Sequence, residues 1–307
     1  MSIFVGADTS NYTTSFALCG DVERNERKIL EVPQGARGIR QSDGVFMHLK
    51  QAPELYRRLT DGVDMSAACA VGVSTRPRRR EGSYMPVFTA GSTFAHIIAD
   101  TLGVPMFEYS HQDGHIMAGV CSAGDMTLLE REFYAVHLSG GTLEILRTRF
   151  NGVDFDAEIV GRTLDISAGQ LIDRAGVALG MKFPCGAAVD AAAMSAKGTD
   201  LKLSISVRGA DINFSGAETQ AMRAVGKIPP EQLCLAVMEC AAKSLCRAIC
   251  ACGAEEILMT GGVASSGYLR RRMPELLPDC RLIFAAPELS TDNAYGIAQL
   301  CRIRMGE

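Results

Sequence analysis

The order of apolar and turn-rich segments runs twice along this 307-residue chain, and that repeat constrains the fold more than any other feature. Ile3 to Asp8 reads as a buried strand, Thr13 to Cys19 as a second after the turn residues Ser10 and Asn11, and Lys28 to Val32 as a third. A helix pattern near Val45 to Thr60, a strand at Ala67 to Val73, a helix from Gly91 to Leu102 and a strand at Pro105 to Tyr109 follow. From Phe133 the order restarts: strands at Phe133 to Leu138 and Leu143 to Arg149, joined by Gly140-Gly141, and a third near Glu158. Helices at Ile166 to Leu179 and Glu231 to Cys252, a strand at Glu256 to Met259, a helix at Ser266 to Leu277 and a strand at Arg281 to Phe284 complete it. Strands that alternate with helices imply parallel pairing, so the expectation is a duplicated α/β fold of two lobes with a ligand cleft between them. The first lobe is expected over 1–118 and the second over 119–292, with an insertion at about 186–227 whose most conspicuous turn is Asn213-Phe-Ser-Gly216. The closing helix, about 293–305, is free to pack back on the first lobe.

Composition narrows the class of function. A net charge of −4 argues against a broadly basic nucleic-acid coat, so any such contact must be local. The amino terminus lacks the pattern of a secretory signal, and no apolar run reaches the roughly 18 residues that span a membrane. Eleven cysteines, an odd number, then read as reduced thiols in a cytoplasmic protein with no membrane contact. Cys240, Cys246, Cys250 and Cys252 crowd one predicted helix, but their spacing matches no zinc finger or ferredoxin, and core packing is the expectation.

His111-Gln-Asp-Gly-His115 places two of the five histidines four residues apart, where a helix turns both imidazoles to one side. Imidazole is the commonest ligand for Zn or Fe, but a mononuclear centre needs a third donor, and Asp292 in Ser290-Thr-Asp-Asn293 is the later candidate. The alternative reading is two histidines on a helix surface. A zinc protease is discounted, because Gln112 stands where such enzymes carry the general-base Glu. His48, His96 and His137 read as packing or surface residues, and Asp113 as a helix-surface carboxylate or, less simply, an acceptor that orients a ligand imidazole.

Asp8-Thr-Ser10 closes the first strand, and Ser139-Gly-Gly-Thr142 closes its counterpart in the second lobe. Both have the character of phosphate-facing turns: glycine amides approach a polyphosphate without an intervening side chain, and a carboxylate opposite can hold a metal-bound water. Together with Pro105 to His115, Thr163-Leu-Asp-Ile-Ser-Ala-Gly-Gln-Leu-Ile-Asp173, Phe183-Pro184 with Gly186, Phe214-Ser-Gly216, Gly261-Gly-Val-Ala264 and Thr291-Asp-Asn293, these turns make the chain resemble the TsaD family, once called glycoprotease. The resemblance covers most of the chain and implies the actin and Hsp70-like (ASKHA) ATPase fold.

What it implies of function is transfer of a threonylcarbamoyl group from its adenylate to the N6 amine of a tRNA adenosine. Carried over, His111, His115 and Asp292 match Fe or Zn ligands. Ser139, Gly140 and Gly141 match phosphate contacts, Asp173 and Gly186 positions around the ribose of ATP, AMP or the acyl-adenylate, and Gly261, Gly262 and Ser266 the nucleotide-binding turn of the last βα unit. Asp8 and Ser10 are the catalytic candidates. The implied partners are tRNA and either a protein of the TsaB type or a second copy joined through the first lobe.

Departures from the family pattern are specific. Asn11, Tyr12 and Thr13 stand where a Cys and two acidic residues are usual, and Thr75-Arg-Pro-Arg-Arg-Arg-Glu-Gly82 replaces a Gly-Pro-Gly turn. Gln170 replaces Glu, Ser266 an Asn, and Glu218 a Lys. Arg76, Arg78, Arg79 and Arg80 are therefore candidate contacts for a nucleotide phosphate or tRNA, against the alternative of a solvated run. Arg270, Arg271 and Arg272 read as a solvated helix face. These departures leave two alternatives beside the transferase: a non-catalytic or regulatory nucleotide-binding paralogue, and an ATPase or carbamoyl transferase acting on a small molecule.

Overall fold

A computed structural model describes residues 1–10, 12–31, 39–80 and 82–307. The chain divides into two compact units, one of Met1–Gly124, Phe150–Phe155 and Asp292–Glu307, the other of Asp125–Arg149 and Asp156–Thr291.

In unit 1 the chain opens with strands β1 (Ile3–Asp8), β2 (Thr13–Gly20) and β3 (Arg24–Ile29), followed by helix α1 (Gln41–Thr60), β4 (Ala68–Arg76), α2 (Phe88–Leu102), β5 (Met106–Ser110) and α3 (His111–Ala123). The five strands form one sheet in the order β3-β2-β1-β4-β5. The hairpin pairs of β2 are antiparallel, whereas β1 with β4 and β4 with β5 run parallel because a helix carries the chain back between them. Ile3, Val5, Phe16, Leu18, Val71 and Val73 face α1 and α2. Phe16, fully buried, meets Tyr56 and Phe94 edge-on at 5.7 and 6.2 Å, so one side chain pins both helices.

Unit 2 repeats this plan. Its elements are β6 (Glu132–Leu138), β7 (Leu143–Phe150), β8 (Phe155–Arg162), α4 (Ala168–Ala178), α5 (Gly186–Ser195), the small hairpin β9 (Ser206–Arg208) and β10 (Asp211–Asn213), α6 (Ser215–Ala224), α7 (Pro230–Cys252), β11 (Glu256–Thr260), α8 (Gly267–Leu276) and β12 (Arg281–Phe284), with only the end residues Phe150 of β7 and Phe155 of β8 counted in unit 1. Its sheet order, β8-β7-β6-β11-β12, is the first sheet's order with the later strands in the same places. Again the first pair is antiparallel and the β6-β11-β12 run is parallel. Two mixed sheets of identical connectivity make this the duplicated actin and Hsp70-like fold. The last helix, α9 (Tyr295–Arg304), returns to unit 1, where Ala294, Ala298 and Cys301 pack with Phe4, Ala17 and Ala70 on the sheet face opposite α1 and α2.

Two expected elements differ. The third strand starts at Arg24 rather than Lys28, and Val32 lies outside the described residues. Arg24-Asn-Glu-Arg-Lys-Ile29 is an edge strand whose side chains are half-buried or exposed, so it carries no apolar alternation to read. Asn213-Phe-Ser-Gly216 is not a free turn but the end of β10 and the start of α6. There the Asp165 carboxylate accepts the amides of Phe214 (2.8 Å) and Ser215 (3.0 Å) and satisfies the open end of the helix. All eleven cysteines are free thiols. No helix among the described residues is long and apolar enough to cross a membrane.

Candidate metal centre and phosphate-facing turns

β5 ends at Ser110, and the chain turns directly into α3. The Ser110 hydroxyl accepts the Asp113 amide while the Asp113 carboxylate accepts the Ser110 amide at 2.9 Å, a reciprocal capping box that fixes where the helix begins. His111 is therefore the first helical residue and His115 lies one turn on, with both rings on one side. Asp113 is 2% exposed and its second oxygen accepts the Phe155 amide at 3.2 Å, so it is a buried cap and not the surface carboxylate expected.

Asp292 reaches this pair from just before α9. The crossing of α3 and α9 is backbone to backbone: a Cβ on Gly296 would sit 1.9 Å from the Gly114 carbonyl oxygen, and one on Gly114 2.9 Å from Ile297 Cδ1. The glycine inside His-Gln-Asp-Gly-His thus serves the approach of the third residue. Ser15 Oγ accepts the Ala294 amide at 2.8 Å and anchors the segment to β2.

His115 Nε2 lies 2.9 Å from His111 Nε2 and 3.1 Å from Asp292 Oδ1, and His111 Nε2 lies 3.6 Å from the same oxygen. One donor atom from each residue falls within 4.8 Å of the others. Two imidazoles and one carboxylate are the donor set of a three-ligand zinc site or a facial iron triad, each with open positions. Thr13 Oγ1 donates to the other Asp292 oxygen at 3.4 Å, which leaves Oδ1 turned to the histidines.

Behind the cluster stands Asp8, 1% exposed at the end of β1. Its Oδ2 accepts His111 Nδ1 at 2.7 Å and the Ser74 hydroxyl at 2.6 Å, and its Oδ1 accepts the Ser10 amide at 2.8 Å. A carboxylate that takes the Nδ1 proton sets the tautomer and presents the Nε2 lone pair to a metal. Burial works against charge on His111, but the Asp8 carboxylate and the Asp292 hydrogen bond outweigh it and push its pKa up to about 10. Although partial desolvation works against it, Asp292 is held well below the usual carboxylate range, because its hydrogen bonds and charge attraction to His111 and His115 outweigh that cost. Two carboxylates against two imidazoles favour a positive charge among them, and a metal bound there would displace the proton.

Of the catalytic candidates, Asp8 has both oxygens engaged in this way. Ser10 is buried with a hydroxyl that meets no partner among the described residues. Asn11 and Glu81 lie outside the described residues. Arg76 ends β4, and the Arg78 and Arg80 amides shape the following turn through Ser83 Oγ and the Arg78 carbonyl. Arg79 is ion-paired with Asp154. His48 is wholly buried. Thr14 spends its one proton on Gln51, so His48 Nδ1 donates to Thr14 Oγ1 at 2.8 Å, and burial depresses its pKa to about 4 although Asp8 opposes this.

In unit 2 the Ser139 amide donates to the Thr142 carbonyl (2.9 Å), closing the turn after β6. Ser167, the cap of α4, donates to the Gly140 carbonyl at 2.8 Å, and a Cβ on Gly169 would lie 2.5 Å from Gly140 Cα. The first turn of α4 thereby sits on the Ser139-Gly140-Gly141 turn, and helix amides beside a glycine turn form an anion-binding arrangement. Gly261 adopts φ +95°, and its Cβ would be 2.4 Å from the Leu138 carbonyl oxygen, so the turn after β11 lies against the end of β6. Asp173 accepts the Cys185 amide at 2.7 Å, which brings it to the start of α5 at Gly186.

Ser266 has a structural task. Its hydroxyl donates to Asp190 and accepts the Leu269 amide at 3.1 Å, while Asp190 also takes the Gly267 and Tyr268 amides at 3.0 Å each. Asp190 was not legible as a site residue, because an Asp inside Ala-Ala-Val-Asp-Ala-Ala carries no motif. Gly262 begins a single 3₁₀ turn after Gly261. Gln170 forms the α4 capping box with Ser167, a task that Gln performs as well as Glu, and Glu218 pairs with Arg174 at 2.9 Å.

The family model TsaD, described as tRNA N6-adenosine threonylcarbamoyltransferase, matches residues 43–299. The chain is 29% identical over 276 residues to the tRNA N6-adenosine threonylcarbamoyltransferase of Methanopyrus kandleri, covering 87% of this chain and 77% of that one. It is 31% identical over 272 residues to that of Thermomicrobium roseum, covering 77% and 72%. Among solved structures, component A of the (R)-2-hydroxyglutaryl-CoA dehydratase of Acidaminococcus fermentans aligns over 99% of both chains with a TM-score of 0.59 and 13% identity, a likeness of fold.

Proposed function

Because the chain belongs to the TsaD family, we propose that it transfers a threonylcarbamoyl group from threonylcarbamoyl-adenylate to the N6 amine of a tRNA adenosine. The amine attacks the carbamoyl carbon, a C–N bond forms, the C–O bond to the phosphate breaks, and AMP and the N6 proton leave. The observation that carries this reading is the convergence of His111, His115 and Asp292, with Asp8 behind His111.

These three residues would hold one Fe or Zn ion. When bound, the metal supplies Lewis acidity toward a phosphoryl or carbamoyl oxygen. Asp8 orients His111, Thr13 turns Asp292, and the crossing at Gly114 and Gly296 sets the separation of the two segments. In unit 2 the amides of the Ser139-Gly140-Gly141 turn and of α4 would take the nucleotide phosphates. Asp173 and Gly186 would lie at the ribose, and Gly261 and Gly262 would form the turn beside the base. Arg76, Arg78 and Arg80 are proposed for tRNA or phosphate, beside Arg79, which is paired with Asp154. Exposed Ile29, Phe46 and Leu49 on β3 and α1 support a TsaB-like partner or a second copy seated on the first lobe.

Tyr12 and Thr13 stand where the family carries acidic residues, and this favours one other reading, a nucleotide-binding paralogue without turnover. One assay separates the two. Purified chain with its partner protein, threonylcarbamoyl-adenylate and unmodified tRNA is expected to yield threonylcarbamoyladenosine by mass spectrometry, and Asp292→Ala to lower the rate about a hundredfold or more. Nucleotide binding with no product under any partner combination selects the paralogue.

A further inference from the structure

A groove of about 680 Å³ lies among α5, α7, α8 and the segment leading to β9, and none of its lining residues belongs to the metal centre or the phosphate-facing turns. Its floor is apolar, with Leu203, Ala236 and Cys240 buried beneath it. Six cations against two carboxylates line it, an excess of four positive charges in a chain whose net charge is −4.

The two carboxylates are already neutralised. Glu239 accepts Arg272 through two nitrogens at 2.9 and 2.8 Å, Lys243 at 3.0 Å and the Tyr268 hydroxyl, and Arg272 also holds Glu275 at 2.7 Å. Lys197, Lys202, Arg247 and Arg271 make no ion pair among the described residues. Like charges gathered round one concavity repel each other, and a bound polyanion relieves that repulsion. Two unpaired guanidinium forks suit phosphate oxygens better than a single carboxylate, and the volume lies in the range of small-molecule sites.

We propose that this groove binds a ligand bearing several phosphate groups, its anionic part on Lys197, Lys202, Arg247 and Arg271 and its less polar part on the floor. The phosphates belong either to a free nucleotide or polyphosphate or to consecutive positions of an RNA backbone. Only the RNA source rests on the transferase reading.

Binding of inorganic tripolyphosphate by calorimetry and of unmodified tRNA by filter retention, both at low salt, tests the groove. Lys202→Glu/Arg247→Glu is expected to weaken one or both by about tenfold or more, and Lys202→Gln/Arg247→Gln by a smaller factor in the same direction. Neither side chain makes an ion pair among the described residues, and the change relieves repulsion round the groove, so the melting temperature should not fall. Arg223→Glu/Lys227→Glu, the same charge change on exposed residues of unit 2 outside the groove, should have little effect. A loss for tripolyphosphate identifies a free phosphate ligand, and a loss confined to tRNA identifies the RNA backbone. Equal losses in the groove and control pairs, no change in either, or no binding of either probe by the wild type overturns the site. If wild type makes no threonylcarbamoyladenosine, the transferase reading fails while the tripolyphosphate result stands. If transfer proceeds and the groove variants bind normally, only the groove is lost.

Discussion

Asp8 shows how much of a site depends on one hydrogen bond that sequence spacing does not reveal. Its partner His111 is 103 residues away, and the two meet only because β1 and β5 lie on either side of β4 in one sheet. His111 and His115 were legible because their spacing matches the helical repeat; Asp8 was singled out only as a catalytic candidate, its contact with His111 was not legible, and Asp113, adjacent to the pair in sequence, serves as the helix cap instead. Asp8→Asn would set an NH₂ group among three donors and loosen the His111 ring. It is expected to weaken metal binding about 10- to 100-fold in a chelator competition, with the secondary structure retained. An affinity equal to wild type would show that Asp8 has no part in holding the ligand.

At the scale of elements, the decisive contact is the crossing of α3 and α9. Both helices were legible from periodicity, but their closeness follows from Gly114 and Gly296, and a glycine within a helix pattern does not announce which helix it meets. Gly296→Ala places a methyl carbon on the Gly114 carbonyl. The expected cost is about 1–3 kcal/mol in urea unfolding, with loss of metal because Asp292 is carried away from the histidines. Full stability and full metal content in that variant would mean that the helices separate without moving the ligands. The edge strand β3 was misplaced for a different reason: its polar side chains, half-buried or exposed on either face, give no hydrophobic period to detect.

At the scale of the whole molecule, the repeat of three strands followed by alternating helices and strands made the duplication visible, since each sheet buries strands that read as continuous apolar runs. The return of the last helix to the first sheet, and with it Asp292 to a histidine 177 residues earlier, has no local signature. The proposed metal centre depends on that return, because without it the chain has two neighbouring histidines and no third ligand. Elemental analysis of protein purified without added metal tests it most directly. The wild type should carry about one equivalent of iron or zinc, and His111→Ala and Asp292→Ala each well under a tenth. Metal retained in full by both variants would contradict the site and remove the support for the chemistry built on it.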